Sequence, residues 1–216
     1  MATQIANIND LRASLAAKLQ DPRNTLPPSS NIRIKAKKTG FDMPDGSTLQ
    51  TLEAIVVDVR YVNALYMKPY KPGVIETPSC WAISNDANVM VPHADAEKAA
   101  AVSCDDCPNN QFGSKGNGKA CKNTIRLALL QPDATDKSPI FMLDLAPTST
   151  TSFLKVIRPL TIPYQTVVMK FTLDATVDYP KIITNMIGPA DDAVAPFLLT
   201  KIEQAQDPIN RGFVFG

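Results

Sequence analysis

The sequence predicts a mainly β chain of the α+β class, and three observations carry that prediction. Short runs in which apolar and polar residues alternate with period two recur along the chain, the pattern of half-buried strands. The 18 prolines and 9 glycines among 216 residues leave little room for long regular helices. A stretch over 63–122, rich in Pro, Asn, Asp and Cys, is too long for an ordinary loop and needs something other than a hydrophobic core to order it.

The first element expected is a short helix over 9–20, with Asn9 as its cap and Leu11, Leu15 and Leu19 on one face. Pro27-Pro28 then makes an extended linker, so 1–30 reads as a helix and linker. From Asn31 the period becomes two: Ile32, Ile34 and Ala36 alternate with Arg33, Lys35 and Lys37, giving one apolar and one basic face. Asp45-Gly46 signals a turn. A second strand is expected over 52–62, with Ile55, Val57, Val59 and Tyr61 on one face. Alternation resumes after the cysteine-rich stretch at 124–130 and again at 140–145. Pro147-Thr148-Ser149 looks like a helix start, Phe153, Leu154, Val156 and Ile157 form its apolar stripe, and Pro159 ends it. Strands follow at 165–173 and 179–187, and a last helix at about 192–206 carries acidic residues at its positive end.

Short strands with one helix between the later ones fit an OB-like, partly open β-barrel over 31–190. The stretch 63–122 is then an insertion in it, and 191–216 a C-terminal helix and tail. A two-layer α+β sheet is the competing arrangement.

Composition narrows the function only by exclusion. The chain is 44% hydrophobic and 20% charged, enough for a real core and far from the disordered regime. Lys plus Arg number 22 against 21 for Asp plus Glu, so only local clustering can speak about partners. No run approaches the roughly 20 apolar residues of a membrane span, and the first residues lack the pattern of a signal peptide. The expectation is therefore an intracellular protein without a membrane partner.

All 4 cysteines fall between 80 and 121. In a reducing compartment that clustering favours metal over disulfides. Cys104-Asp-Asp-Cys107 presents two thiolates on one tight turn, while Cys80 lies 24 residues before it and Cys121 lies 14 residues after it. Four thiolates complete a tetrahedral zinc shell and leave no open position, the pattern of a structural Zn2+. An iron–sulfur cluster would use the same ligands, and unrelated thiols or disulfides are the plain alternatives. His93, the 1 histidine, is left out of the ligand set as a solvated loop residue.

The run Gly113-Ser-Lys-Gly-Asn-Gly118-Lys119 nearly spells a phosphate loop, but Ala120 stands where Ser or Thr must hold magnesium. A lone histidine also leaves a serine or cysteine nucleophile without a base. The sequence does not read as an enzyme.

Two basic clusters stand out. One is the strand face Arg33, Lys35 and Lys37; the other is Lys115, Lys119, Lys122 and Arg126, with Phe112 among them and Trp81 beside the first cysteine. Tyr61 leads into the same region. Cations that track phosphates and aromatic faces that stack on bases together suit single-stranded nucleic acid. The plainer reading of alternating lysines is a strand's solvated face.

The segment from Cys104 through Pro108, Phe112 and Ser114, followed by Gly118-Lys119-Ala120-Cys121-Lys122-Asn123, resembles a motif in a family of phage and prophage single-stranded-DNA-binding proteins. Pro78-Ser79-Cys80-Trp81 is similar to that family's first ligand segment, and Pro147-Thr148-Ser149 matches less specifically. The resemblance implies an OB-type core, a zinc insertion held by Cys80, Cys104, Cys107 and Cys121, and DNA contacts from Phe112, Lys119 and Lys122. It also implies a role in DNA replication or recombination in the cytoplasm of an infected bacterium. Single-stranded DNA, further copies of the chain and phage replication proteins are the partners that follow. The acidic tail common in such proteins has no counterpart in Asn210–Gly216.

Overall fold

The computed structural model describes residues 32–68 and 76–213. The expected helix over 9–20 lies outside them. A domain boundary falls after Ile32, and the unit described here begins at Arg33.

Among the described residues nine strands form one sheet, ordered β3-β2-β1-β7-β6-β4-β8-β9, with β5 added beside β4. The strands β1 (Arg33–Lys37), β2 (Gly40–Asp42) and β3 (Thr48–Leu49) open the chain as an antiparallel meander. The Asp45-Gly46 turn falls between β2 and β3: Asp45 Oδ1 accepts from Ser47 N at 2.8 Å, and Gly46 sits at φ +88°. Gly40, at φ +144°, would place a Cβ 2.7 Å from Leu49 O, so no other residue fits there.

The spine is β4 (Leu52–Leu65), rich in the β-branched residues that suit a pleated surface. Along one edge it pairs with β6 (Cys121–Leu130), from Ile55↔Leu130 to Leu65↔Cys121. Its other edge is shared in succession. β8 (Val167–Leu173) takes Leu52 to Ile55, and β5 (Cys80–Ser84) takes Tyr61 to Leu65. Next to β6 lies β7 (Phe141–Leu145), which pairs in parallel with β1, and β9 (Ile182–Pro189) closes the order on β8. The sheet curls into a half-barrel. Among the described residues no pairing joins β3 to β9.

The concave core gathers Phe41, Val56, Leu127, Leu143, Met169 and Phe171 under helix α1 (Pro147–Ile157), whose Phe153 is fully buried within it. As expected, Pro stands in the first turn of α1. Ser149 does more than start the helix: its buried Oγ accepts from Ile182 N at 2.8 Å and ties α1 to β9.

Helix α2 (Ala195–Asn210) lies over β4 and β6 through Arg60, whose Nε donates to Asn210 Oδ1 at 2.9 Å and whose Nη2 donates to Gln206 Oε1 at 2.6 Å. Its start differs from expectation because Asp191 caps a separate 3-10 turn at Asp192–Val194, accepting from Ala193 N at 2.8 Å. The α-helix proper begins only at Ala195.

One expected face is corrected. Ile55, Val57, Val59 and Tyr61 do not share a side, because β4 carries a bulge between Val56 and Asp58. The extra residue reverses the alternation: Leu52, Ala54 and Val56 reach the core before it, Val59 and Tyr61 after it.

Candidate metal centre and basic–aromatic surface

The insertion is less irregular than its composition suggests. Extension of β4 to Leu65 and addition of β5 bring Cys80 opposite Leu65, and the start of β6 brings Cys121 opposite the same residue on its other edge. Two cysteines thus sit on strands, one each side of the end of β4. The other two come from the turn before a short 3-10 segment at Pro108–Asn110. Cys104 N donates to Met90 O at 2.9 Å, and Asn110 N to Cys107 O at 2.9 Å, which hold that turn against the rest.

All four thiols are buried and free of disulfides, and all four line one enclosed space of about 10 Å³. That is about the room of a single water-sized sphere, too little for an organic ligand. Burial is the largest influence on two of the thiols: it raises the Cys104 thiol, against a hydrogen bond from Asn63, and pushes Cys121 up to about 12. Among the described residues no three His, Cys, Asp or Glu side chains already stand in a metal-holding group. Four cysteine thiols match zinc in the number and chemistry of the donors. His93 is not among the lining residues; its ring stacks on Trp81 at 3.8 Å.

The expected contact residues divide sharply. Phe112 is 82% exposed at the tip of the insertion, with Lys119 Nζ 5.2 Å from its ring centroid. Lys115 and Lys122 are exposed as well, and Lys122 Nζ stands 5.2 Å from the ring of Tyr66. Among the described residues no carboxylate pairs with Lys115, Lys119 or Lys122.

The basic strand is largely neutralised. Arg33 bonds Asp144, Lys37 bonds Asp42 and the following Lys38 bonds Asp178, while Lys35 has no carboxylate partner among the described residues.

Arg126 and Trp81 are corrections to the sequence reading. Arg126 has 0% exposure: Nε donates to Asp144 Oδ1 at 3.0 Å, and Nη1 donates to Arg211 O at 2.7 Å and Ile209 O at 3.2 Å. It fastens the end of α2 and cannot reach a ligand, because the end of α2 and the residue after it cover this side of β6. Trp81 is buried between His93 and the chain at Gly212 and Phe213, so its ring faces are already taken. Tyr61 is half-buried against the core.

Sequence reading missed three asparagines. Asn63 and Asn123 face each other across β4 and β6, and Asn123 Nδ2 donates to both Asn63 Oδ1 and Asn110 Oδ1. Asn110 Nδ2 in turn donates to Cys104 O at 2.8 Å. The available signal was an asparagine within a strong strand run, where that residue is depleted.

No protein-family model, curated protein or solved structure matches the chain.

Proposed function

We propose that this chain is a non-enzymatic single-stranded-DNA-binding protein that acts in phage DNA replication or recombination. The single observation that carries the reading is Phe112. A large aromatic ring held in solvent costs hydrophobic free energy unless something covers it, and the cation beside this one, Lys119, has no carboxylate partner among the described residues. Base stacking on such a ring contributes about 1–3 kcal/mol, and the lysines add a salt-dependent attraction to phosphate.

In this reading Zn2+ is held by Cys80, Cys104, Cys107 and Cys121 and fixes the loop that presents Phe112. Metal binding would replace the thiol protons that burial favours on Cys104 and Cys121. The half-barrel is read as OB-like, and the phage setting, the host cytoplasm, self-association and replication partners come with the sequence resemblance.

A second reading has an observation of its own. Val89, Val91 and Val102 are exposed on the insertion, and the bond from Cys104 N to Met90 O draws their two segments together. Exposed apolar side chains on neighbouring segments suit a protein–protein adaptor or a virion-associated role.

Fluorescence anisotropy separates the two. Zinc-loaded protein should bind a labelled oligo-dT of about 30 nucleotides much more tightly than duplex of equal length, with affinity falling as salt rises. Absence of binding at low salt rejects the DNA reading and leaves the adaptor.

A further inference from the structure

The insertion does not lie flat on the sheet; a cleft of about 200 Å³ opens where the two meet. Its floor is a two-by-two patch of side chains. Tyr61 and Asn63 alternate along β4, and their partners across the ladder are Ile125 and Asn123 on β6. One end of the floor is therefore aromatic and aliphatic, the other amide. Asn110 and Lys119 of the insertion form one wall, Ala87 stands at the rim, and Thr150 of α1 closes the far side.

The hydrogen-bond inventory gives the cleft a chemical preference. Asn123 Nδ2 spends both of its hydrogens, on Asn63 and Asn110. Its Oδ1 therefore remains an acceptor, with no donor among the described residues. Asp105, exposed at the same cleft, adds a carboxylate. A phosphate carries only acceptors and negative charge, so in this space Lys119 alone can receive it, while the amide oxygen and the carboxylate call for a donor. The edge of a nucleobase brings a flat ring for the half-buried Tyr61 and N–H donors for the amide end. The volume is below the roughly 300–1,000 Å³ of ordinary small-molecule pockets, a scale suited to one base rather than to a nucleotide.

We propose that this cleft takes one unstacked base of a bound single strand, with its N–H edge on Asn123, while Lys119 meets the adjoining phosphate and Phe112 stacks the next base. The proposal rests on the single-strand reading above and adds that bases are read at their edges as well as stacked. Lys119 is placed for the bridging role: its Nζ is 3.5 Å from Asn110 Oδ1 in the cleft wall and 5.2 Å from the centroid of the Phe112 ring outside.

The test compares three oligomers of equal length on the zinc-loaded full chain: oligo-dT, the same oligomer with N3-methylthymine, and an all-abasic oligomer. Methylation removes the base's N–H donor but keeps its face. The wild type should bind the methylated oligomer about tenfold more weakly than oligo-dT, the equivalent of one hydrogen-bonded edge. The all-abasic oligomer should be weaker still. Ala87→Leu, at an exposed rim position, should fill the cleft, leave the melting temperature unchanged and abolish the difference between dT and N3-methyl-dT. Equal affinity of the wild type for those two oligomers overturns the proposal while the single-strand reading stands. So does a difference that survives Ala87→Leu. Failure to bind any of the three overturns both.

Discussion

Two regions of this molecule are ordered by different forces. The sheet and its helices are held by contiguous apolar burial, with Phe41, Phe153, Phe171, Met169 and a stack of leucines all out of solvent. Among the described residues the insertion has small apolar clusters built around a cysteine: Leu65 with Cys80 and Cys121, and Ala82 and Met90 with Cys104. Point ties do the rest: four thiols around one void, the three asparagines, and turn hydrogen bonds such as Gly113 N to Gly118 O at 2.9 Å. A region held by area fails gradually with lost area. A region held by a few ties fails when one tie is cut.

The largest effect should therefore come from a tie. Cys107→Ser should release zinc and remove amide-exchange protection across 80–122, while the sheet core melts much as before. Exchange mass spectrometry with metal analysis reads both; simultaneous loss of the whole fold would place the insertion inside the core's cooperative unit. Next, Phe171→Ala should destabilise the whole fold by about 3–5 kcal/mol, through lost burial and the cavity left behind. Urea unfolding measures it, and a loss confined to β8 and β9 would deny the core its single cooperative character.

A smaller effect is expected at the surface the ties present. Phe112→Ala with Lys119→Ala should weaken single-strand binding by about 1–3 kcal/mol without moving the melting temperature. Unchanged affinity in the anisotropy assay would remove this loop as a contact surface.

The smallest concerns the tip between β8 and β9. Hydrogen bonds from Lys181, then from Thr176, hold the Asp174 carboxyl well below the usual carboxylate range. A lowered folded-state value means that this contribution is present above about pH 4 and fades as the pH falls toward the lower folded-state value. Solvent exposure keeps it small. Asp174→Asn should flatten that part of the stability–pH curve, and an unchanged acid limb would show the contact contributes nothing.

The regions also differ in how legible they were. The alternation of β1, β6 and β8, the Pro-led start of α1 and the Asp45-Gly46 turn could be read directly, because each depends on residues a few positions apart. The cysteine quartet could be read as a set for the same reason: its chemistry lies in residue type and spacing. Arg126 could not. It sits in an alternating run beside lysines, and nothing local distinguishes a solvated arginine from one that closes on Asp144 and the carbonyls of Ile209 and Arg211. Trp81 misled for the same reason, since its covering partners His93 and Phe213 are far from it in the chain or outside any pattern.

By itself, then, the sequence determined six of the strands (β1, β4, β6, β7, β8 and β9, but not β2, β3 or β5), where α1 begins, and that four thiols occupy one stretch. Tertiary structure decided what lies on each side of those strands. It placed the bulge that turns β4 over between Val56 and Asp58, laid α2 across Arg60 and Arg126, and opened the amide-lined cleft between insertion and sheet. The physical reason is range. Backbone preference and side-chain period act over a few residues, whereas burial of a given face depends on which distant segment arrives to cover it.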